Sequence, residues 1–356
     1  MKRILLSALL VAWFSAVPQI AVGAGVEVVH LYRAVAPVDS QDVAERRRAL
    51  KDALFMVLVK VSGQPAETLR ERLDGAIDDP VGYVQQYRYE SLPRSAPTSG
   101  KALRTLGLDV EFDKDAVDRL LRNAGLPVWG RVRPATLVWL AMEAGSSRRL
   151  ATPSDRPGLW RALEARARER GLPLVIPLFD LEDQAGLDAA DVWGGFSEAI
   201  LEASRRYGAD GVLTGRLYRD ASGLDVSAWI LLRDGAERAW RFRDGDHKAQ
   251  AGRAVDRLAQ WLARDFAVPR KAGPRGHMDM HVSGLETVDD YGRLMAYLEG
   301  LDAVEKASPR VLDGTDMTVR INATVAREQL LQTLGLGQVL RPLPAGDGDL
   351  WFELAR

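Results

Sequence analysis

The stretch "LFDLEDQAGLDAADVWGGF" holds the densest set of acids in the chain: Asp180, Glu182, Asp183, Asp188 and Asp191. It reads as the end of an apolar strand and the loop after it, the edge of an α/β sheet where ligands tend to bind. Carboxylates gathered there could hold a cation, receive a basic partner or share acid and base roles in a hydrolysis. The competing role is structural, because Asp is favoured at helix starts by capping and by the helix dipole. Trp193 stands between Asp191 and two glycines, and of the eight tryptophans after residue 24 it is the one placed to meet a ligand. Packing is its competing role. Trp160 and Trp261 sit in helical apolar stripes and read as core.

"HMDMH" is the metal candidate. On a strand, His277, Asp279 and His281 share one face, and Met278, Met280 and Val282 the other. Two imidazoles and a carboxylate could hold zinc with a fourth position open. Alternate strand residues are about 7 Å apart, however, which strains three ligands from one strand. The alternative is an amphipathic strand with its polar face in water. His30 and His247 are the other histidines. No nucleophile elbow, Ser-x-x-Lys, His-Glu-x-x-His or phosphate-binding P-loop motif occurs. Spacing alone does not exclude a Ser–His–Asp triad, whose members need not be neighbours. No cofactor is expected.

"ASRRYGADGVLTGRL" has the glycines of a phosphate-cradling loop in the wrong order. Such loops lead from a strand into a helix, whose free N–H groups face the anion. Here a helix ends at Gly208 and a strand follows. Gly208, Gly211 and Gly215 are therefore expected to serve backbone geometry.

The elements around these residues form three segments. Residues 25–126 read as strand, helix, strand, strand, helix, an α+β layer. Val43, Leu50, Leu54, Val57, Leu58 and Val61 make the stripe of the first helix, with Asp39 or Ser40 as its cap and Gly63 as its stop. Residues 127–270 alternate strand and helix, with "LPLVIPLFD" as a short apolar strand, and then run into a meander. Its "RDGA" turn makes a hairpin, because Asp-Gly accepts positive φ. This suggests a mixed sheet with helices against it. After the linker "VPRKAGPRG", residues 277–356 have the order βαββαβ of a ferredoxin-like plait. The fold class is α+β, in three small domains.

Lys2 and Arg3, the apolar run Ile4 to Val17, and small residues at 22 and 24 read as a cleaved export signal cut after Ala24. The run falls short of the about 20 residues a span needs, and Pro18 interrupts it. No later stretch suits a bilayer. Without the signal, 46 basic residues face 49 acidic ones, a net charge of −3 that does not suit a nucleic-acid binder. The absence of cysteine excludes lipid attachment at the cleavage site, thiolate metal sites, thiol catalysis and disulfides.

"LVIPLFDLEDQAGLDAADVWGGF" followed by "ASRRYGADGVLTGRLY" resembles the DUF2066 family of exported Gram-negative proteins. "VDSQDVAERRRALKDALFMVLVKVSG" and "VQQYRYE" resemble its N-terminal part, so the likeness runs from about Val26 to Leu340. It implies a periplasmic or envelope-associated protein and assigns no catalytic residue. "YGADGVLTGRL" is also similar to a helix-to-strand passage in the amino-terminal domain of the Tol–Pal propeller protein and in the curli secretion lipoprotein. There it belongs to an α/β domain used for protein contacts.

The expectation is a non-enzymatic periplasmic accessory or scaffold protein that binds another envelope component. A glycan- or peptide-binding module using Trp193 and the acidic loop is the second reading. A hydrolase built on Asp180 and Asp183 is the third.

Overall fold

The computed structural model describes residues 25–73, 75–93, 104–145, 147–267, 277–336, 339–343 and 350–355. The expected export signal, the expected linker at 268–276 and the Pro/Ser/Gly loop after residue 93 lie outside them. The architecture is α+β.

The first part comprises β1 (Val26–Glu27), β2 (Arg33–Val38), α1 (Val43–Ser62), α2 (Ala66–Arg72), β3 (Val84–Pro93), β4 (Arg104–Phe112) and α3 (Lys114–Asn123). Strands β2, β4 and β3 form an antiparallel sheet in that order. Helix α1 lays Leu50, Leu54, Val57, Leu58 and Val61 into the same core as Ala36, Leu108 and Val110 of that sheet. The stripe starts later than expected, since Val43 is 72% exposed. Neither Asp39 nor Ser40 caps α1: Asp42 is its N-cap residue and makes no side-chain cap bond, because its carboxylate accepts from the Ser40 hydroxyl. Gly63 ends the helix at φ 66°.

The second part comprises β5 (Val132–Arg133), β6 (Thr136–Ala144), β7 (Ser147–Leu150), α4 (Pro157–Arg170), β8 (Leu174–Val175), α5 (Leu181–Gly186), α6 (Ala189–Gly194), α7 (Ser197–Ser204), β9 (Gly211–Arg219), β10 (Asp225–Arg233), β11 (Ala236–Phe242) and α8 (His247–Phe266). The main sheet runs β11-β10-β9-β6-β7, with β8 beside the start of β6. Strands β6 and β9 are parallel and the outer pairs antiparallel. Side chains of β6 alternate between two cores. Val138, Leu140 and Met142 join α4 and α8 on one face, and Leu137, Trp139 and Ala141 join α6 and α7 on the other. "LPLVIPLFD" contributes only the two residues of β8, because Pro173 and Pro177 have no N–H with which to extend the ladder. The "RDGA" hairpin forms, with Asp234 at φ 50° and Gly235 at φ 72°.

Arg133, fully buried, knits the first part to the second. Its guanidinium donates to the carbonyls of Lys60, Trp129, Gly130, Arg170 and Gly171 at 2.8–3.0 Å. Two helix C-termini, those of α1 and α4, thus face one cation, the charge their dipoles favour. Arg170 likewise donates to the carbonyls of Gly63 and Gln64.

The third part comprises β12 (His277–Ser283), α9 (Val288–Gly300), β13 (Val304–Asp313), β14 (Asp316–Ala323), α10 (Arg327–Leu334), β15 (Leu340–Pro342) and β16 (Leu350–Leu354). The expected βαββαβ order is there with one strand more, in the sheet order β13-β14-β12-β16-β15. The added β15 reverses the chain once again, so β16 closes the sheet parallel to β12. Helices α9 and α10 share its core through Leu294, Leu298, Leu330 and Leu334.

Candidate functional site

Local capping rules shape the acidic loop. Asp180 is the N-cap residue of α5, and its carboxylate accepts from the Asp183 N–H at 3.0 Å. Arg206, just after α7, grips Asp180 with both terminal nitrogens at 2.7 and 2.8 Å. The guanidinium and the backbone N–H together hold the Asp180 carboxyl down at about 2. Asp183 is buried. It accepts from the Phe179 N–H at 2.7 Å, the Tyr207 hydroxyl at 2.6 Å and Arg206 at 3.1 Å. Burial, then the bond to Asp183, pushes the Tyr207 hydroxyl up to about 12. Phe179 sits at φ 53°, a costly conformation for a bulky residue. Its N–H on Asp183, the Gln184 amide on its carbonyl and its ring against Trp139 and Trp160 hold it there. Glu182 stays exposed, 3.5 Å from Arg206.

Asp191 and Trp193 belong to a different cluster. The Asp191 carboxylate accepts from the Asp188 N–H at 2.9 Å in the capping box that starts α6. Arg148 lies over the Trp193 ring at 4.6 Å, Tyr218 packs edge-on to it, and Arg216 donates to its carbonyl. The sequence groups these five residues, but the structure divides them between two capped helix starts and supplies each cluster with arginines from elsewhere.

The metal candidates on β12 each face a residue directly across on β14. His277 pairs with Asn322 at 2.7 Å, Asp279 takes both Arg320 donors at 2.8 Å, and His281 meets Thr318 at 3.1 Å. The His281 ring also stacks on Trp351 with centroids 4.2 Å apart. Among the described residues, no three His, Cys, Asp or Glu side chains form a group that could hold a metal. The zinc expectation is corrected accordingly: strand spacing keeps the ligands apart, and cross-strand bonds occupy them. Of the three glycines, Gly208 ends a helical turn at φ 57°, and Gly211 opens β9. Gly215 lies within β9 and marks close packing, since a Cβ there would come within 2.8 Å of Leu140 and Trp229. Asp210 between them ties the start of β9 to the start of β6, accepting from the Ala135 N–H at 2.6 Å.

A cleft of 680 Å³ opens where the carboxyl ends of β6 and β9 meet the starts of α4 and α8. In a sheet with parallel strands this is the position from which helices on the sheet face leave room for a ligand. Its acids are mostly engaged. Asp155 pairs with Arg149 at 2.6 Å, Asp225 with Arg219 at 3.0 Å, and Asp246 caps α8 through the Ala249 N–H at 2.8 Å. His247 directs Nε2 at the carbonyls of Tyr218 and Val226, 3.3 Å from each. Arg156, Arg161 and Lys248 line the cleft with no ion-pair partner among the described residues. Residue-type and motif scanning missed this site, because its cations are ordinary surface residues in sequence. One signal was present. Of the described α-helices, α4 and α8 alone have no acid in the first turn.

Residues 25–130 match the model of a domain of unknown function, DUF8605. This corrects the DUF2066 resemblance, which has no support. The phrases that carried it are capped helix starts and a helix-to-strand stop, which any α/β segment of this geometry can share. The matched residues include the first sheet and α1 to α3 and end before the cleft. No curated protein matches the chain. Among the described residues no helix is long and apolar enough to cross a membrane.

Proposed function

We propose that this chain is an exported, non-enzymatic accessory protein of the cell envelope that binds another envelope component in the cleft between α4 and α8. The cleft carries the reading: it lies at a sheet's carboxyl edge and holds cations with no ion-pair partner among the described residues. A binding role fits its chemistry better than a catalytic one. His247, the one histidine in the lining, faces two backbone carbonyls. Asp180 and Asp183, on which a hydrolase would rest, are engaged by Arg206. Export rests on the pattern of residues 1–24 alone, now that the family resemblance is withdrawn.

Two measurements test this. The full chain is expressed with its first 24 residues in a Gram-negative host, fractionated, and its mature N-terminus sequenced. A product starting at Gly25 in the periplasmic fraction is expected, and an uncut cytoplasmic product removes the location. A photo-crosslinking residue at Pro157 in the cleft is then compared with one at Gln332 on α10. A discrete adduct from Pro157 alone supports binding at the cleft, and identical patterns from both positions overturn it.

A further inference from the structure

The cleft's charge is arranged against the helices that form it. A helix N-terminus carries partial positive charge and favours acids in its first turn. Helix α4 instead starts from Arg156 with no side-chain cap, and Arg161 follows one turn on. Helix α8 places Lys248 in its first turn, after the capping Asp246. Lys248 crosses the start of α4: a Cβ on residue 158 would lie 2.7 Å from its Cε and 3.0 Å from its Nζ, so the end of this side chain lies directly against Gly158. Three exposed cations therefore line a cleft at two positive helix ends, and its acids, Glu143 apart, face arginines or cap a helix. Such a cluster repels itself unless an anion sits within it.

We infer that the cleft takes a ligand with at least two negative charges on oxygen, phosphate or carboxylate, held between Arg156, Arg161 and Lys248. This rests on the cleft being the binding site and adds the ligand's chemical class. Guanidinium forks suit both oxyanions through paired N–H donors, and Lys248 adds a point charge from the opposite helix. The first turns of α4 and α8 add their dipoles on the same side. A neutral glycan would leave all three cations unanswered.

Calorimetric titration of the purified full chain with inorganic pyrophosphate, citrate and maltose tests this. Pyrophosphate or citrate is expected to bind, the stronger of the two identifying the oxyanion, and affinity should fall as sodium chloride rises. Arg156→Ala and Lys248→Ala together should weaken binding by about tenfold or more. A control pair on other surfaces, Arg119→Ala with Arg257→Ala, removes the same charge and should leave affinity unchanged. Equal loss in both pairs shows diffuse attraction and overturns the site. No binding of either anion at about 1 mM, the weak end of specific affinities, also overturns it. If the Pro157 adduct forms and survives Arg156→Ala with Lys248→Ala, the anionic class fails while the cleft reading stands. If anions bind but no adduct forms, the envelope partner fails while the anion site stands.

Discussion

The acidic loop and the cleft are both crowded with charge, and they treat it in opposite ways. At the loop, Asp180 and Asp183 meet Arg206, a backbone N–H each and a tyrosine hydroxyl. At the cleft, the acids other than Glu143 pair or cap, while Arg156, Arg161 and Lys248 have no ion-pair partner among the described residues. A charge cluster whose members answer one another stabilises a local structure. One that leaves like charges facing each other costs stability and implies something absent from the isolated chain. Density of charged residues, which drew attention to the loop, does not separate these cases. Partnering does.

The loop side of this comparison breaks most visibly at Asp183. Asp183→Ala strands the Phe179 N–H and the Tyr207 hydroxyl, removes a buried partner of Arg206, and releases the strained φ of Phe179. A loss of about 2–4 kcal/mol in urea unfolding is expected, with pyrophosphate affinity unchanged. Near-native stability would mean the loop is not built around this carboxylate. Lost affinity would mean that the two regions are one site.

Both the success and the failure of the sequence reading follow from how far each signal reaches. Gly208 and Gly63 as helix stops, the Asp234–Gly235 hairpin and the stripe of α1 from Leu50 onward are local, set by a few neighbouring residues, and all are found. The strand expected over "LPLVIPLFD" shrinks to Leu174–Val175, because apolarity marks burial whereas pairing needs the N–H groups that Pro173 and Pro177 lack. Strand β15 has only three residues, too few to show alternation. For the acidic loop, the sequence shows the carboxylates but hides Arg206, which arrives from the far end of α7. The cleft is the extreme case. Its walls are first turns of two helices far apart in sequence, brought side by side by their packing on one face of the sheet, and its mark is the acids that are missing.

Asp210 sharpens the comparison from a third position. Unlike Asp180, it is held by the Ala135 N–H rather than by a guanidinium, and burial pushes its carboxyl up to about 6 from the usual 3.8. A carboxyl raised on folding favours the fold while protonated. Its contribution is complete below the unfolded value of 3.8 and is lost as pH rises through about 6. Asp210→Asn keeps an acceptor for Ala135 and removes the buried charge. It should gain about 1–2 kcal/mol at a pH well above the folded value, and the gain should vanish in acid below the unfolded one. A variant less stable than the parent in alkaline buffer would show the charge itself to be needed, placing Asp210 with the answered carboxylates of the loop.

The smallest effect decides the cleft side. Arg156→Asp puts a preferred capping residue where α4 has none and replaces a cation repelled by the helix dipole with an anion attracted to it. Asp155 beside it is already paired with Arg149, so the new carboxylate adds little repulsion. If Arg156 serves only the fold, the exchange should be neutral or harmful. If it is retained against the helix's own preference in order to hold an anion, stability should rise by about 0.3–1 kcal/mol while pyrophosphate binding is lost. Gain and loss together, read in the same protein by urea unfolding and calorimetry, would separate a residue kept for a ligand from the loop's residues, where stability is what each partner supplies.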